Sequence, residues 1–483
     1  MTYEPVIGLE THVQLNTDSK MFCGCAARYA DAPPNTHVCP VCLGAPGVLP
    51  VINERALRYT ILSGLALHCR IAEFSRFDRK NYPYPDLVKG YQISQYDLPL
   101  CLDGYVDVRL DQASCRVRIK RIHLEEDTAK LTHAVDELGR PESLVDVNRS
   151  GVPLMEIVSE PDLRSADEAR QYLLLLRLVL TTIGVTTGNL EEGALRVDVN
   201  VSLRSQGSQE FGAKVEVKNL NSFRAVHRAL EHEIARQTAM LERGGVIPQE
   251  TRGWQDDRGV TVSQRTKEHA HDYRYFPEPD LPPLQFTPAQ IEALRQSLPE
   301  LPDARERRLI EQRGLSAYEA GVLVNEVPLA GYYDAVVAAG ADPKRAANWL
   351  LNDLLGLLNA RGERIEASRA TPEQLAALIA LVQNGTVSTP GGRQVLARMV
   401  ETGGEPSAIV AAEGLGQVSD TSALEQQIAV AIDANPKSLV DYLSGKEAAF
   451  NSFIGPVMKA TRGQANPALV RELLKAALER RRS

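Results

Sequence analysis

The chain has 483 residues, of which 43% are hydrophobic and 24% charged. This length allows roughly two to four domains with a buried core, and the composition excludes a disordered or fibrous protein. The formal net charge of −8 excludes a uniformly basic surface, so any contact with nucleic acid must be local. The sequence shows no signal-peptide pattern and no apolar run of about eighteen residues, so we expect a cytoplasmic protein without a membrane segment.

Period-two alternation predicts half-buried strands in the first 290 residues, at 6–15, 116–124, 195–203 and 213–217. Two helices interrupt them. The first begins at Ser165 in a capping box with Glu168, and the second covers 222–243, ending before two glycines. Polar and apolar alternation favours an antiparallel sheet with one face left open, because buried parallel strands would read as continuous apolar runs.

Four prolines in 271–283 break regular structure, and the sequence after them becomes rich in alanine, leucine and glutamate. Helices are predicted at 288–298, 315–339, 344–359 and 371–384, with a hinge at 403–406 and short helices beyond it. The predicted fold class is α+β: an antiparallel-sheet cradle domain over 1–290, a helical bundle over 291–405 and a small helical tail domain over 406–483.

All seven cysteines lie in the first quarter of the chain. Cys23 and Cys25 form one close pair, and Cys39 and Cys42 form a second pair after thirteen intervening residues. This spacing fits a structural zinc ion held by four thiolates, which leaves no position open for water. An iron–sulfur cluster would also accept four thiolates, and we keep it as the alternative.

Acidic side chains recur on one face of several predicted strands. Alternation places Glu10 beside His12, and it gives later strands further members: His123, Glu125, Glu126, Asp127, Asp198, Asn200 and Glu216. Each strand by itself could present an ordinary solvated face. Close carboxylates repel one another unless a divalent cation neutralises them, so the set predicts a magnesium site and a phosphate-bearing substrate. Histidine suits magnesium poorly, so His12 either orients a carboxylate or water, or the site takes manganese.

Basic residues near these strands could balance phosphate charge: Lys80, Arg149, Lys214 and Lys218. The segment 79–93 interleaves aromatic with basic residues, a pattern typical either of a loop that stacks on a base or of a loop that packs on itself. The sequence has neither a Walker A motif nor a Gly-x-Gly-x-x-Gly motif after a strand. A nucleotide would therefore have to bind the sheet face and its metals.

These motifs resemble the B subunit of the tRNA-dependent amidotransferase, the aspartyl/glutamyl-tRNA(Asn/Gln) enzyme. The resemblance covers nearly the whole chain. The strings that carry it are the paired cysteines, 8–15, 79–91, 122–127, 148–154, 156–162, 214–223, 272–280 and 457–467. Two departures concern loop detail: Thr128 and Ala129 stand where the family has Ala-Gly, and Val197 stands where cysteine is common.

The resemblance implies that ATP phosphorylates the side-chain carboxylate of Glu or Asp misloaded on tRNA, and that ammonia then displaces the phosphate. The cradle becomes a kinase and transamidase domain. The resemblance places Glu10, His12, Glu125 and Glu216 at magnesium. It places these residues around the phosphates or the acyl group: Lys80, Glu126, Arg149, Asp198, Asn200 and Lys218.

The resemblance also implies partner proteins. Ammonia would arrive through a polar tunnel from the amidase, which is designated A. A third protein, designated C, would complete a heterotrimer, and the matching aminoacyl-tRNA synthetase could join it.

Residues 445–483 contain eight basic and three acidic positions. A basic C-terminal helix is as often a solubilising end as a binding site, and the resemblance favours tRNA. The residues concerned are Lys446, Lys459, Arg462, Arg471, Lys475 and Arg480. Two other functions compete: a zinc-stabilised RNA-binding or assembly protein, and a metal-dependent phosphohydrolase that acts alone.

Overall fold

The computed structural model describes residues 3–110, 113–266, 273–417, 421–461 and 465–481. The chain divides into two compact units, Met1–Pro302 and Asp303–Ser483. The three-part division at residues 290 and 405 remains a prediction. In the described part of the chain, no helix combines the length and apolar character needed to cross a bilayer.

The first unit is built on strands. They are β1 (Tyr3–Gln14), β2 (Arg70–Ile71), β3 (Phe74–Ser75), β4 (Asp78–Asn81), β5 (Tyr91–Ser94), β6 (Cys101–Leu110), β7 (Ala113–Glu126), β8 (Lys130–Val135), β9 (Pro141–Asp146), β10 (Pro153–Ser159), β11 (Leu195–Ser205), β12 (Val215–Leu220), β13 (Glu250–Gln255), β14 (Val260–Thr266), β15 (Phe276–Pro277) and β16 (Leu284–Gln285).

Nine of the described strands form the main sheet, in the order β14-β13-β12-β11-β1-β10-β7-β6-β2. All neighbours are antiparallel except β12 and β13, which are parallel. β1 therefore lies centrally, between β11 and β10. Smaller sheets join β15-β4-β5, β16-β3 and β8-β9. The predicted α+β class with an antiparallel-dominated first domain is confirmed.

Helices cover one face of the main sheet. They are α1 (Glu54–Ala66), α2 (Ala166–Thr182) and α3 (Phe223–Glu242), and α4 (Pro288–Gln296) packs on α1. α2 packs on β6 and α3, and α3 packs on β11 and β12, which buries the apolar side chains of alternate strand residues. The opposite face carries polar side chains. The predicted open face is partly covered, because β5 packs on β7 and buries Glu125 to 2% exposure.

The N-terminal caps of α2 and α3 form where the sequence predicts them, with one difference in the capping box of α2. Ser165 accepts a hydrogen bond from the Glu168 amide as predicted, but the Glu168 carboxylate accepts the amide of Arg164 rather than that of Ser165. The capping box is therefore not reciprocal. Ser222 accepts the Ala225 amide at the start of α3. α3 then forms the crossover that the parallel β12–β13 pair requires.

From the unit boundary onward the chain is helical. The helices are α5 (Pro302–Glu311), α6 (Ala317–Val324), α7 (Val327–Ala338), α8 (Pro343–Asn348), α9 (Leu355–Arg361), α10 (Pro372–Gln383), α11 (Thr389–Thr402), α12 (Pro406–Ala412), α13 (Thr421–Asp433), α14 (Pro436–Leu443), α15 (Asn451–Ala460) and α16 (Pro467–Arg480).

Two predicted long helices are interrupted. The stretch 315–339 forms two helices, since Pro328 in the first turn of α7 cannot continue the preceding helix. The stretch 344–359 contains a π-helical segment, Trp349–Leu354, between α8 and α9. A separate apolar core near the C-terminus joins α13, α15 and α16 through buried residues such as Leu424, Phe453 and Leu474.

Candidate active site on the sheet face

β1 organises the polar face. Ile7, Leu9 and Val13 are buried in the core, while Glu10, His12 and Gln14 point to the opposite face, as alternation predicts. Alternate residues of a strand lie about 7 Å apart. Each of these three polar side chains contacts a different polar cluster, so three clusters follow one another along β1.

The central cluster surrounds His12. Its Nε2 atom lies 3.5 Å from Glu156 Oε2 and 3.8 Å from Glu125 Oε1. One ligand atom from each of these three residues falls within 4.8 Å of the others. His123 Nε2 approaches Glu156 to 3.4 Å and Glu125 to 3.8 Å. β10 explains this arrangement, because it pairs Glu156 with His12 on one side and with His123 on the other.

The two histidines and two carboxylates compensate one another's charge. Burial would lower the pKa of His12, but a hydrogen bond to Glu156 and the charges of Glu156, Glu125 and Asp198 raise it to about 9. Burial would raise the pKa of Glu125 and of Glu156, yet the histidines and the Lys80 charge hold both below the usual range. Both carboxylates are therefore anionic near neutral pH.

A second cluster surrounds Glu10. Carboxylate oxygens of Glu10, Asp198 and Glu216 all lie within 4.8 Å of one another. Lys218 Nζ lies 2.6 Å from Asp198 Oδ2 and 3.1 Å from Glu216 Oε1. Burial would lower the pKa of Lys218, but these two carboxylates raise it above its usual range. One lysine thus pairs with two of the three carboxylates.

The surroundings of this Glu10 triad fit a hard divalent cation. Asn200 Nδ2 donates to Glu10 Oε1 at 2.9 Å, and Thr251 Oγ1 donates to Glu216 Oε2 at 2.9 Å. Asn200 Oδ1 is buried and accepts no hydrogen bond from the described residues. An unused amide oxygen beside three carboxylates is the all-oxygen donor set that Mg²⁺ or Mn²⁺ prefers.

A third cluster surrounds Gln14. Gln14 Nε2 donates to Asp127 Oδ2 at 2.8 Å and to Tyr29 Oη at 3.0 Å. Arg196 Nη2 donates to the same Asp127 oxygen at 2.9 Å. Burial would raise the pKa of Asp127, but Arg196 and Arg149 hold it below the usual range. Arg149 lies here rather than at either carboxylate triad, and it donates to backbone carbonyls.

Glu126 lies apart from these clusters. It follows Glu125 in β7, so its side chain points to the other face, where it accepts the Ile93 amide at 3.0 Å and pairs with Lys89. A cavity of about 200 Å³ separates this ion pair from the cysteine loop. The structure therefore does not bring Glu126 together with the other predicted site residues.

Basic residues of the segment 79–93 contact acidic and aromatic side chains close to them in space. Arg79 donates to both Glu278 oxygens, at 2.7 and 2.8 Å. Lys80 Nζ lies 5.0 Å from the Tyr273 ring centre and 5.7 Å from that of Tyr82. Arg79 also lies over the Tyr91 ring of the same segment, 4.3 Å from its centre, whereas Lys80 lies close enough to the His12 cluster to lower the pKa of its carboxylates.

The four cysteines of the predicted metal site lie close together in the structure. Their sulfur atoms lie within 4.8 Å of one another, and Cys39 Sγ lies 3.9 Å from Cys42 Sγ. Tetrahedral Zn–S bonds of about 2.3 Å place sulfurs about 3.8 Å apart, so the cluster could hold a zinc ion. Lys20, almost fully buried, places Nζ 3.7 Å from Cys42 Sγ. Its charge would balance part of the thiolate charge.

Sequence reasoning missed Glu156 and Arg196 as members of the site. Glu156 completes the His12 cluster beside His123, and Arg196 joins Asp127 and Gln14 in the third cluster. One signal was available for Glu156: it is a lone carboxylate in an otherwise apolar string, 152–158. No local signal marks Arg196, because its position depends on its pairing with His12 across β1 and β11.

The predicted tRNA-binding residues lie on the helical surface of the second unit. Lys459, Arg471 and Lys475 are exposed, Lys446 pairs with Asp441, and Arg480 pairs with Glu425. Arg462 lies outside the described residues. Their role in binding tRNA stays a prediction.

Comparison with known proteins identifies the family. A family model described as the GatB/GatE catalytic domain matches residues 5–292, and one described as the GatB domain matches residues 331–478. Relatives named as the B subunit of aspartyl/glutamyl-tRNA(Asn/Gln) amidotransferase are 53% identical in Dehalococcoides mccartyi and 54% identical in Thermomicrobium roseum. Each alignment covers 99% of this chain and 99% of the relative. The chain belongs to the GatB/GatE family, together with these amidotransferase B subunits.

Proposed function

We propose that this chain is the part of a tRNA-dependent amidotransferase that activates and amidates the side-chain carboxylate of Glu-tRNA(Gln) or Asp-tRNA(Asn). One observation carries the proposal: five strands far apart in the sequence bring two acidic clusters, Glu10–Asp198–Glu216 and His12–Glu125–Glu156, next to each other on one sheet face. The names of the relatives supply the substrate class.

The reaction joins two anions and then replaces oxygen by nitrogen. A side-chain carboxylate oxygen attacks the γ-phosphorus of ATP, and the bond to the leaving ADP breaks. The nitrogen of ammonia then attacks the resulting acyl phosphate carbon, the C–O bond to phosphate breaks, and one proton leaves the nitrogen. Because the pKa of His12 is raised to about 9, this side chain already carries a proton near neutral pH, and the released phosphate is the group that takes up the proton lost by the nitrogen.

The donor sets indicate where divalent cations would bind. Glu10, Asp198 and Glu216 with Asn200 fit Mg²⁺, and His12, Glu125 and Glu156 form a second candidate set. When bound, such ions would screen the charge between the nucleotide and the substrate carboxylate. The cysteine cluster is closed by four sulfurs, so a zinc ion there would stabilise the loop rather than react.

A cleft of about 390 Å³ at the Glu10 end of β1 suits a nucleotide. Lys120, Arg121 and Lys214 line it beside Glu10, and Phe211, exposed to 65%, offers a ring for a base. Basic side chains next to an oxygen-rich cation site are what a triphosphate requires. Lys214, one of the residues predicted to balance phosphate, lies here.

Ammonia must come from a partner. The sequence has no amidase-like Ser-Lys signature, so the amidase would serve as the glutaminase, and the third protein, designated C, would complete the enzyme. The relatives are themselves named as B subunits, which also points to an assembly of several different chains.

The test measures ADP release by the chain with its partners. ATP and magnesium should yield ADP only when Glu-tRNA or Asp-tRNA is present, and Glu125→Gln and Glu216→Gln should each abolish it while tRNA binding stays within about twofold. Full amidation by both variants would overturn the metal-site assignment. ADP release without RNA or partners would instead indicate a phosphohydrolase that acts alone.

A further inference from the structure

A β-bulge in β7 turns two consecutive cations toward the polar face of the main sheet. Ile119 and Ile122 are both fully buried, so the period-two alternation of β7 changes parity between them. Ile119 and Arg121 pair with consecutive residues of β10, which makes Lys120 the extra residue of the bulge. Lys120 and Arg121 therefore both line the nucleotide cleft, the cleft of about 390 Å³ at the Glu10 end of β1.

Arg121 differs from other arginines of this sheet because no side chain of the described residues compensates its charge. Three of those other arginines each pair with a carboxylate: Arg116, Arg118 and Arg196. In the part of the chain that the structure describes, Arg121 Nε is buried and donates no hydrogen bond, and no carboxylate forms an ion pair with this guanidinium. A buried donor without an acceptor is unfavourable, so the arrangement favours an anionic ligand at Arg121.

Arg121 lies at the border between the nucleotide cleft and the His12 cluster. One residue of β10 pairs with Glu10 on one side and with Arg121 on the other, so both belong to one row across the sheet. The next row on the same face, about 7 Å away, belongs to the His12 cluster. Tyr275 reports the same placement: burial, Glu125 and Glu156 raise its pKa, and the Arg121 charge acts on it in the opposite direction.

The proposed reaction moves one phosphoryl group across this border. The γ-phosphoryl group leaves ADP in the nucleotide cleft and joins an oxygen of the acyl carboxylate, and its three nonbridging oxygens carry charge in the transition state. A guanidinium presents parallel N–H donors that match two such oxygens, and it stays protonated throughout. The ammonium groups of Lys120 and Lys214, which also line the cleft, lack this planar pair of donors.

We propose that Arg121 is a catalytic residue that binds the transferred γ-phosphoryl group and stabilises its charge during transfer from ADP to the acyl carboxylate. Its N–H groups donate hydrogen bonds to nonbridging phosphoryl oxygens, and it neither gains nor loses a proton. The inference rests on the proposed function and adds the residue that stays with the phosphoryl group rather than with ADP.

Nucleotide binding to the full chain with its partners separates this role from a general attraction for phosphate. The probes are ADP and the non-hydrolysable β,γ-imido analogue of ATP, each with magnesium, because they differ by the γ-phosphoryl group. Arg121→Gln should weaken binding of the analogue by about tenfold or more and change ADP binding by less than about twofold. Arg116→Gln, the same charge change at an exposed position of the same strand, is the matched control and should alter neither affinity.

Turnover gives a second readout. With Glu-tRNA or Asp-tRNA, kcat for ADP release should fall about 10³-fold in Arg121→Gln, the range that an arginine at a phosphoryl transition state contributes. Arg121→Lys keeps the charge but not the parallel donors, so it should still lose about tenfold in kcat. It takes the place of the glutamine variant if circular dichroism shows that the latter is unfolded.

Normal kcat in either Arg121 variant, or an equal loss of affinity for ADP and for the analogue, would overturn the inference while leaving the proposed function intact. A wild-type complex that releases no ADP with either acylated tRNA would refute the proposed function, and the inference with it.

Discussion

Individual neutral residues orient the carboxylates of the site. Asn200 donates to Glu10, Ser94 to Glu125 and Thr251 to Glu216, each over 2.9 to 3.1 Å. Groups that hold a metal-binding carboxylate in place affect metal affinity strongly, because they fix the direction of its lone pairs. These donors are positioning residues for the two triads.

Thr251→Val removes one such donor at nearly constant volume. We expect Mn²⁺ binding, followed by electron paramagnetic resonance, to weaken about tenfold, since Glu216 loses the hydrogen bond that orients it. Thr251→Ser keeps the hydroxyl and should bind as the wild type does. Unchanged affinity in the valine variant would contradict the role of Thr251.

A buried polar network lies behind the site, between α3 and the strands β13 and β14. Glu233 is fully buried, and its carboxylate contacts Arg236 Nη2 at 2.8 Å and Arg252 Nε at 3.2 Å. Gln237 and Thr261 also donate to it. Burial would raise the pKa of Glu233, but these donors hold it below the usual range.

This network predicts a pH dependence of stability. A folded-state pKa below the unfolded value of about 4.3 means that the contribution of Glu233 is complete above that pH and is lost as the pH falls further. Glu233→Gln should lower the free energy of unfolding by about 3 kcal/mol at pH 7. Urea titrations should show this deficit shrinking between about pH 5 and pH 3.

The exposed Glu231→Gln on the same helix is the control, and it should change stability by less than about 0.5 kcal/mol at any pH. A deficit for Glu233→Gln that stays constant into acid would refute the depressed pKa.

At the scale of elements, strand alternation decides which side chains can meet. Glu125 and Glu126 are neighbours in β7, yet one joins the His12 cluster and the other pairs with Lys89 on the opposite face. Period-two geometry by itself could have separated them. Pro328 could likewise have predicted that the helix expected over 315–339 is interrupted before α7. The π-helical segment at Trp349–Leu354 has no local signal that we can identify.

The cysteine loop should depend on its metal. We expect one zinc ion per chain by mass spectrometry, and Cys39→Ser should lose it and lower the melting temperature, because three thiols no longer close a tetrahedral site. Cys115→Ser, outside the cluster, should keep the metal. Visible absorbance with iron in place of zinc would instead support the iron–sulfur alternative.

At the scale of the whole molecule, the C-terminal core determines how the tail can be tested. Phe453, Val457 and Leu474 bury their side chains against Leu424 and Ile428 of α13. Deleting 445–483 would therefore expose the remaining half of this core. Charge reversal at exposed positions avoids that problem.

Arg471→Glu combined with Lys475→Glu changes two exposed residues one turn apart on α16. We expect weaker tRNA binding and a slope of log affinity against log salt that is shallower by about 1 to 2, because two phosphate contacts are lost. Arg55→Glu with Arg58→Glu on α1 gives the same change in net charge and should leave the slope unaltered. Identical salt dependence in both double variants would reject the tail as the RNA-binding surface.

The sequence by itself determined local properties: the parity of Glu10 and His12 on β1, the two cysteine pairs, the change from strands to helices, and the family strings. Only the tertiary structure decided how Glu10, His12, Glu125 and Glu216 are grouped. The predicted single set became two triads, with Asp198 and Glu156 completing them. The physical reason is that strand order and register arise from pairing between distant segments, whereas alternation describes one strand at a time.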